Sequence, residues 1–406
     1  MYDAIIVGAR CAGSPTAMLL ARLGFKVLLV HRATFPSDTI STHILWPHGA
    51  EILARWGLLG TLAATGAPPI CRHMTFDVGP FALRGAIPDA NDGMGGFCPR
   101  RTVLDSLLAN AAAEAGVEVR ERFTVDELLV TDDTVMGVRG HGKDGRPVEE
   151  YARTVIGADG VNSFVAREVR AEEYDVRAVA ACGYYSYFSG VRQDDIELYV
   201  RDHDAFAGAP TNDGLHLVMV NWPASDFPAV RADIEGYVWR ALESAPGFAA
   251  RVREGCREEK WYGTAGVPGY FRKPYGKGWA LVGDASYNRD PITAQGISDA
   301  FIDAEMLAEV LSAGLSGRGA LEDRLAAHES ARNERVRPMY EFTTELAALE
   351  PPPPEMQALF NSLRGNQDAT NAFLSAISGA IPLLEFMSNE NLGRIMAAAK
   401  DVELPR

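Results

Sequence analysis

Three clusters of glycine and aspartate carry the chemistry that this sequence can do. The first is Gly8-Ala9-Arg10-Cys11-Ala12-Gly13, near the start of the chain. Glycines spaced this way let a backbone turn tightly and approach a pyrophosphate, whose charge then lies at a helix N-terminus. The second is Gly157-Ala158-Asp159-Gly160, after the apolar pair Val155-Ile156. The third runs from Trp279-Ala-Leu-Val282 into Gly283-Asp284, then Asp290-Pro291 and Gln295-Gly296-Ile297. An aspartate at the carboxyl end of a buried strand can accept hydrogen bonds from a polyol. A helix opening at Gly296 would aim its positive end at a developing negative charge.

The elements that must position these groups can be read around them. Ala4–Val7 is a short β-branched run without polar alternation, as a strand covered on both faces requires. The stretch 16–23 reads as a helix, with Pro15 tolerated in its first turn and Gly24 ending it. Phe25–Val30 reads as the next buried strand, which completes a β-α-β unit. A purely structural β-α-β unit is the other reading. Two residues depart from the usual dinucleotide fingerprint. Arg10 stands where the middle glycine would be, so either the turn accepts its side chain or the arginine points toward phosphate or solvent. His31, followed by Arg32, replaces the acidic residue that takes a ribose hydroxyl, and can make one hydrogen bond there but no bidentate charged contact.

In this order and spacing the three clusters resemble the FAD-dependent monooxygenases of the para-hydroxybenzoate hydroxylase type. Geranylgeranyl reductases and flavin-dependent halogenases share that scaffold. The resemblance covers most of residues 1–310. It implies an α/β fold: a Rossmann-like FAD-binding domain with a parallel sheet of the GR2 type, an antiparallel-sheet substrate domain and a C-terminal helical region. It also implies site residues. Gly8, Cys11, Ala12 and Gly13 would wrap the pyrophosphate, with His31 and Arg32 at the adenosine ribose. Arg101, in the R-x-x-L-D pattern Arg101-Thr-Val-Leu104-Asp105, matches an FAD-contacting arginine, and Val125 a position near adenine. Asp159 would serve the cofactor and the pyridine nucleotide, and Asp284 would hold the ribityl chain. Gly296 and Ile297 would present backbone N–H groups to the flavin edge, with Pro291 and Thr42 beside it. The halogenase pair of tryptophans in W-x-W-x-I-P is absent, and Val220-Asn-Trp222-Pro223 only faintly resembles the prenyl-reductase segment. No second G-x-G-x-x-G unit exists, which fits a nicotinamide that binds transiently.

Composition bounds the remaining classes. A chain of 406 residues predicts two or three domains, and 47% apolar with 23% charged residues is ordinary for a well-cored protein. The net charge of −15 repels polyanions and argues against nucleic acid as a partner. No apolar run approaches the ~20 residues of a membrane span, and no leader pattern opens the chain, so a cytoplasmic location is expected. Cys11, Cys71, Cys98, Cys182 and Cys256 are scattered and predict reduced thiols; the histidine spacing predicts no metal. The expected division is 1–75, 99–172 and 272–330 for FAD binding, 76–98 and 173–271 for substrate, and 331–406 for the helical region. In the second part, strands are expected at Ile196–Arg201 and Leu215–Asn221, joined by a turn around Gly208–Gly214, and a helical stretch at 230–256. Glu350-Pro-Pro-Pro-Pro354 reads as a stiff connector.

The family places Ser41-Thr42-His43 beside the isoalloxazine, so His43 is the leading catalytic candidate; a simple backbone hydrogen bond is an equal reading. Tyr185 and Tyr187 alternate onto one strand face and would either line the cavity or donate to a substrate oxygen, or simply pack. The expected function is an FAD-dependent, NAD(P)H-using monooxygenase that hydroxylates an aromatic or polycyclic small molecule with dioxygen, through a flavin C4a-hydroperoxide, as a monomer or homodimer. An FAD-dependent reductase of C=C bonds is the second reading, and a flavin-binding protein without chemistry the third.

Overall fold

The computed structural model describes residues 1–67, 69–70, 73–87 and 95–400; Cys71 and residues 401–406 lie outside them. Its centre is a five-stranded parallel array in the order Trp279–Leu281, Pro147–Gly157, Tyr2–Val7, Val27–His31, Glu118–Glu121. Alternate residues explain why Ala4–Val7, in the strand Tyr2–Val7, are all apolar. Ala4 and Ile6 pack under the helices Gly13–Arg22, Arg101–Glu114 and Gly296–Leu315, against Met18, Leu108 and Phe301. Ile5 and Val7 point to the other face, beside Val155 and Leu281 of the neighbouring strands, and Val138 packs with them there. The hairpin Thr124–Thr131 with Thr134–His141 extends from the first half of Pro147–Gly157 and supplies Val138 to that face. The α/β fold with a Rossmann-like parallel sheet is thus present.

A second sheet joins Cys256–Arg257, Ala181–Ser189, Leu215–Pro223, Ala205–Pro210, Ile196–Val200, His73–Asp77 and Ala82–Ala86, with Tyr262–Thr264 beside Ala181–Ser189. It departs from expectation in three ways. The region between Ile196–Val200 and Leu215–Pro223 holds a full strand, Ala205–Pro210, with one turn before it at 201–204 and one after it at 211–214. Its Ala-Phe-Ala-Gly-Ala-Pro sequence lacks β-branched residues, so propensity hides it. The sheet is antiparallel except where Ile196–Val200 runs parallel to His73–Asp77. The stretch 230–256 is broken into Phe227–Ala232, Ile234–Glu243 and Pro246–Glu254, because Asp233 caps a new helix and Pro246 starts another.

Three expected boundaries fall inside elements: 75/76 cuts His73–Asp77, 271/272 cuts Gly269–Arg272, and 330/331 cuts the helix Leu321–Ala347. A small sheet of Glu173–Arg177, Gly269–Arg272 and Tyr287–Asn288 packs against that helix through Phe271 and Tyr340. After the proline run, Pro354 opens Pro354–Leu363, and Gln367–Ile377 packs on Ala82–Ala86. Cys11, Cys98 and Cys182 are buried free thiols and Cys256 an exposed one. Among the described residues no helix is long and apolar enough to cross a membrane, and no His/Cys/Asp/Glu group is arranged to hold a metal.

Candidate functional site

The three glycine clusters converge at the carboxyl ends of the central strands. Gly8 has φ +108°, and a methyl group there would overlap the carbonyl oxygen of Ala158 in the second cluster. A methyl on Gly13 would overlap the carbonyl of Gly8 itself. Gly283, with φ +61°, sits so close to Ala12 that a Cβ would come within 2.7 Å of the alanine methyl. Only glycine permits these approaches. The turn therefore sits directly on the strand ends, with the helix Gly13–Arg22 starting from it.

Charged groups around this turn are paired across elements. Asp105 is fully buried and accepts from Arg101 Nε and Nη2, at 3.2 and 2.8 Å, and from the Cys11 thiol at 3.4 Å. Arg10 binds its other oxygen, so one carboxylate holds two guanidinium groups. Arg10 also donates to Ser37 Oγ and to the Asp38 carbonyl, both at 3.1 Å; its side chain is turned into the protein rather than toward solvent. Burial pushes the Cys11 thiol up, so it stays protonated. Sequence reasoning missed the Arg10–Asp105 hub, although Asp105 stands in the quoted pattern.

His31 ends its strand, with its Nδ1 accepting from Ala9 N–H at 3.3 Å and its ring stacked on Phe35. Its proton must therefore sit on Nε2, which is buried without a protein partner. Burial, reinforced by Arg10, pushes its pKa down to about 4. Arg32 beside it is exposed, and Val125 packs half-buried among hydrophobic neighbours around Val30 and Phe123. The Asp159 carboxylate accepts from Ser163 Oγ and from Phe164 and Val165 N–H, at 2.6 and 3.3 Å for the amides, at the start of the helix Phe164–Glu168. Asp284 opens into the groove while protein walls surround it, and this desolvation pushes its carboxyl up to about 6, with Arg101 opposing. Its turn is held on every side. Gly283 N–H donates to Asp303 (2.9 Å), while the carbonyls of Asp284 and Ala285 accept from Tyr270 OH (2.6 Å) and Arg272 (3.0 Å).

The helix Gly296–Leu315 opens with Gly296 exposed to the groove and the Ile297 side chain in the core. Before it, Pro291–Thr293 forms one tight turn and Ala294 adopts φ +54°. The Thr293 carbonyl accepts from Trp46 Nε1 at 3.2 Å, and Gln295 donates to the Ile377 carbonyl at 3.1 Å. These bonds tie the loop to the segment after Thr42 and to the C-terminal helices.

His43 lies beside this loop, fully buried with φ +64°. Its Nδ1 lies 2.7 Å from the Ser41 carbonyl and must carry a proton, so Nε2 accepts the Tyr187 hydroxyl at 2.8 Å. Burial, followed by the Arg101 charge, pushes its pKa down to about 3, so the ring is neutral. Tyr187 lies under the Arg100 guanidinium, which pairs with Glu259 at 2.6 Å. Tyr185 is edge-on to His43 and its hydroxyl reaches the Thr39 carbonyl only at 3.5 Å. The structure thus brings His43, Tyr185 and Tyr187 together, and adds Arg100 and Glu259.

The two tyrosines begin rows that cross the second sheet. Tyr185 neighbours Met219, then Ala207, Leu198 and Phe76; Tyr187 neighbours Leu217, then Ala209. The two alanines leave room above the middle strand, and an apolar cavity opens there. Thr42 and Ile292–Ala294 form its border toward the groove, and Phe342, Leu346 and Ile377 line it from the helices.

The profile of a family described as an FAD binding domain matches residues 1–343. The chain belongs to this family. It is 30% identical over 329 residues to digeranylgeranylglycerophospholipid reductase 2 of Methanothermobacter thermautotrophicus, covering 78% of this chain and 80% of that one. A flavoprotein/dehydrogenase of Cytophaga hutchinsonii shares the fold at a TM-score of 0.82 and 20% identity, over 98% and 99% of the two chains. PqsL of Pseudomonas aeruginosa, a probable FAD-dependent monooxygenase, does so at 0.70 and 24%, over 92% and 99%; it has also been solved in complex with 2-aminobenzoylacetate. The chain is accordingly an FAD-dependent oxidoreductase, and its glycine turn, unpartnered His31 Nε2 and groove-facing Asp284 fit the cofactor of the family.

Three outcomes are expected. His31→Ala, which removes the unpartnered donor, should weaken FAD binding about tenfold in a fluorescence titration; unchanged affinity would remove His31 from the cofactor site. Ala294→Gly should raise the stability of the apoprotein by about 0.5–1 kcal/mol in denaturant unfolding, because glycine carries no penalty at positive φ. Finally, His43 is neutral when folded but has an ordinary value of 6.5 when unfolded. Below that value the unfolded chain binds the extra proton, so stability falls with acid. His43→Gln should lose less stability than the parent between about pH 7 and about pH 4.

Proposed function

We propose that this protein is an FAD-dependent, NAD(P)H-using monooxygenase that oxidises an uncharged aromatic or polycyclic small molecule. The cavity carries the reading. No charged side chain lines it, so an ionised substrate would lose hydration there without compensation, whereas a flat apolar ring fits between Ala207 and the border at Ile292–Ala294. A fold relative solved with 2-aminobenzoylacetate supports the aromatic ring; that ligand is a carboxylate, so the absence of charge rests on the cavity lining alone.

In this reading Gly8, Cys11, Ala12 and Gly13 hold the pyrophosphate, His31 donates from Nε2 to the ribose beside Arg32, and Val125 lies toward the adenine. Arg101 and Asp284 flank the groove as a cation and a hydrogen-bonding carboxyl for the ribityl chain. Pro291, Gly296 and Ile297 present the loop and helix N–H groups to the flavin edge, next to Thr42. When bound, FAD supplies the electron pair taken from NAD(P)H and the position at which dioxygen reacts. Asp159, whose carboxylate accepts at the start of the helix Phe164–Glu168, has no further role here. His43 cannot serve as an acid because it is neutral and accepts from Tyr187. It instead fixes the Tyr187 hydroxyl; neither tyrosine is among the residues that line the cavity, so both act from behind Met219 and Leu217 rather than on the substrate.

The alternative is reduction of a C=C bond, which the reductase at 30% identity favours and an apolar chain in the same cavity would satisfy. Turnover under ¹⁸O-labelled dioxygen separates the two. Label in the product is expected for the monooxygenase; product formed without oxygen and without label establishes the reductase. Ala207→Trp, which fills the cavity, should lower substrate-stimulated NAD(P)H oxidation about tenfold or more while FAD content stays that of the parent. Full stimulation in that variant would move the substrate elsewhere.

A further inference from the structure

We propose that Arg10, which stands where a dinucleotide-binding turn has its middle glycine, is a positioning residue that fastens the strap 37–42 to that turn and slows the release of FAD. The strap connects the two ends of the groove: it follows the His31 strand and its Phe35 neighbour, and it ends at Thr42 on the cavity border and at His43. It is poorly anchored by its own packing, for Ser37, Asp38, Thr39, Ser41 and Thr42 are half-buried and Ile40 is 52% exposed. The Asp38 carboxylate bonds only locally, to Thr39 N–H at 2.8 Å. Among the described residues, the side-chain bonds that reach the strap from outside are His43 Nδ1 to the Ser41 carbonyl at 2.7 Å at its far end, the Tyr185 hydroxyl to the Thr39 carbonyl at 3.5 Å, and the two from Arg10, to Ser37 Oγ and the Asp38 carbonyl at 3.1 Å each, which alone hold residues 37 and 38.

Arg10 can hold the strap because its own position is over-determined. Its backbone lies in the turn between Gly8 and Gly13, and its Nη1 is bound to Asp105, which sits at 0% exposure on the helix Arg101–Glu114. A planar guanidinium spans such a set, giving one nitrogen to the carboxylate and the other to the strap. Glycine at this position would complete the usual fingerprint but leave residues 37 and 38 without a side-chain anchor, the strap being held only further on, by Tyr185 at Thr39 and His43 at Ser41. Asp105 would keep Arg101 and Cys11, so the buried carboxylate is not orphaned by the change.

The test is the rate at which FAD leaves the holoprotein, read as recovery of free-flavin fluorescence on dilution, with amide exchange of 37–42 in the apoprotein alongside. Arg10→Gly is expected to release FAD about tenfold or more faster, the scale of a lost charge-assisted hydrogen bond, and to speed exchange in the strap. Ser37→Ala should release it faster by a smaller factor, and the double variant no faster than Arg10→Gly, because Ser37 acts through Arg10. Arg10→Lys keeps the charge beside Asp105 but cannot fork, and should release FAD as Arg10→Gly does; it carries the test if the glycine variant fails to fold. Release at or below the parent rate in Arg10→Gly or Arg10→Lys, or multiplicative effects of the Arg10 and Ser37 changes, would overturn the proposal.

Discussion

The site depends on one steric constraint: three segments more than a hundred residues apart must touch at the end of the central strands. Gly8 lies against the Ala158 carbonyl, Gly13 against Gly8, and Gly283 against Ala12, all closer than any side chain permits. That contact fixes where the helix Gly13–Arg22 begins, and with it the direction of its N-terminal dipole. The Gly283–Ala285 turn then presents Asp284 to the same groove, because Asp303, Tyr270 and Arg272 occupy its backbone groups.

Charge is arranged around that contact so that little of it is unpaired. Buried Asp105 is flanked by Arg10 and Arg101, which avoids the large cost of an isolated ion in the interior. The histidines solve the same problem by staying neutral. For His31 and His43 a backbone group fixes the proton on one ring nitrogen, so the other has a defined role: an unpartnered donor on His31, an acceptor for Tyr187 on His43. Tautomer, rather than charge, sets what each imidazole can bind.

What the sequence revealed divides along the same line between local and distant forces. The β-α-β unit, the Gly-Asp turns and the helix at Gly296 are written in consecutive residues, since glycine geometry and strand burial act over a few positions. His43 stood out through the family resemblance and Tyr185 and Tyr187 by their alternation, but the hydrogen bond between His43 and Tyr187 spans 144 residues and no pattern announces it. Arg10 stood out as a broken rule, yet its meaning lies in Asp105, 95 residues away. The strand Ala205–Pro210 escaped because alanine and glycine carry no strand signal; its place is dictated by Leu215–Pro223 and Ile196–Val200 on either side. The parallel pairing with His73–Asp77 is likewise a property of the assembled sheet.

That hidden strand also shows how one scaffold can hold unlike chemistries. A central strand bearing Phe or Leu at positions 207 and 209 would fill the space between Met219, Leu217 and Leu198, and the sheet would be a closed core. Alanine there converts the same sheet face into a cavity whose border is the loop leading to Gly296. The groove around the glycine turn depends on contacts that tolerate almost no change, whereas the cavity depends on side-chain volumes in a few cross-strand rows. Under the proposed reading, substrate choice in this chain therefore rests on those rows and on Phe342, Leu346 and Ile377 above them. These positions can vary without disturbing the turn on which the cofactor would rest.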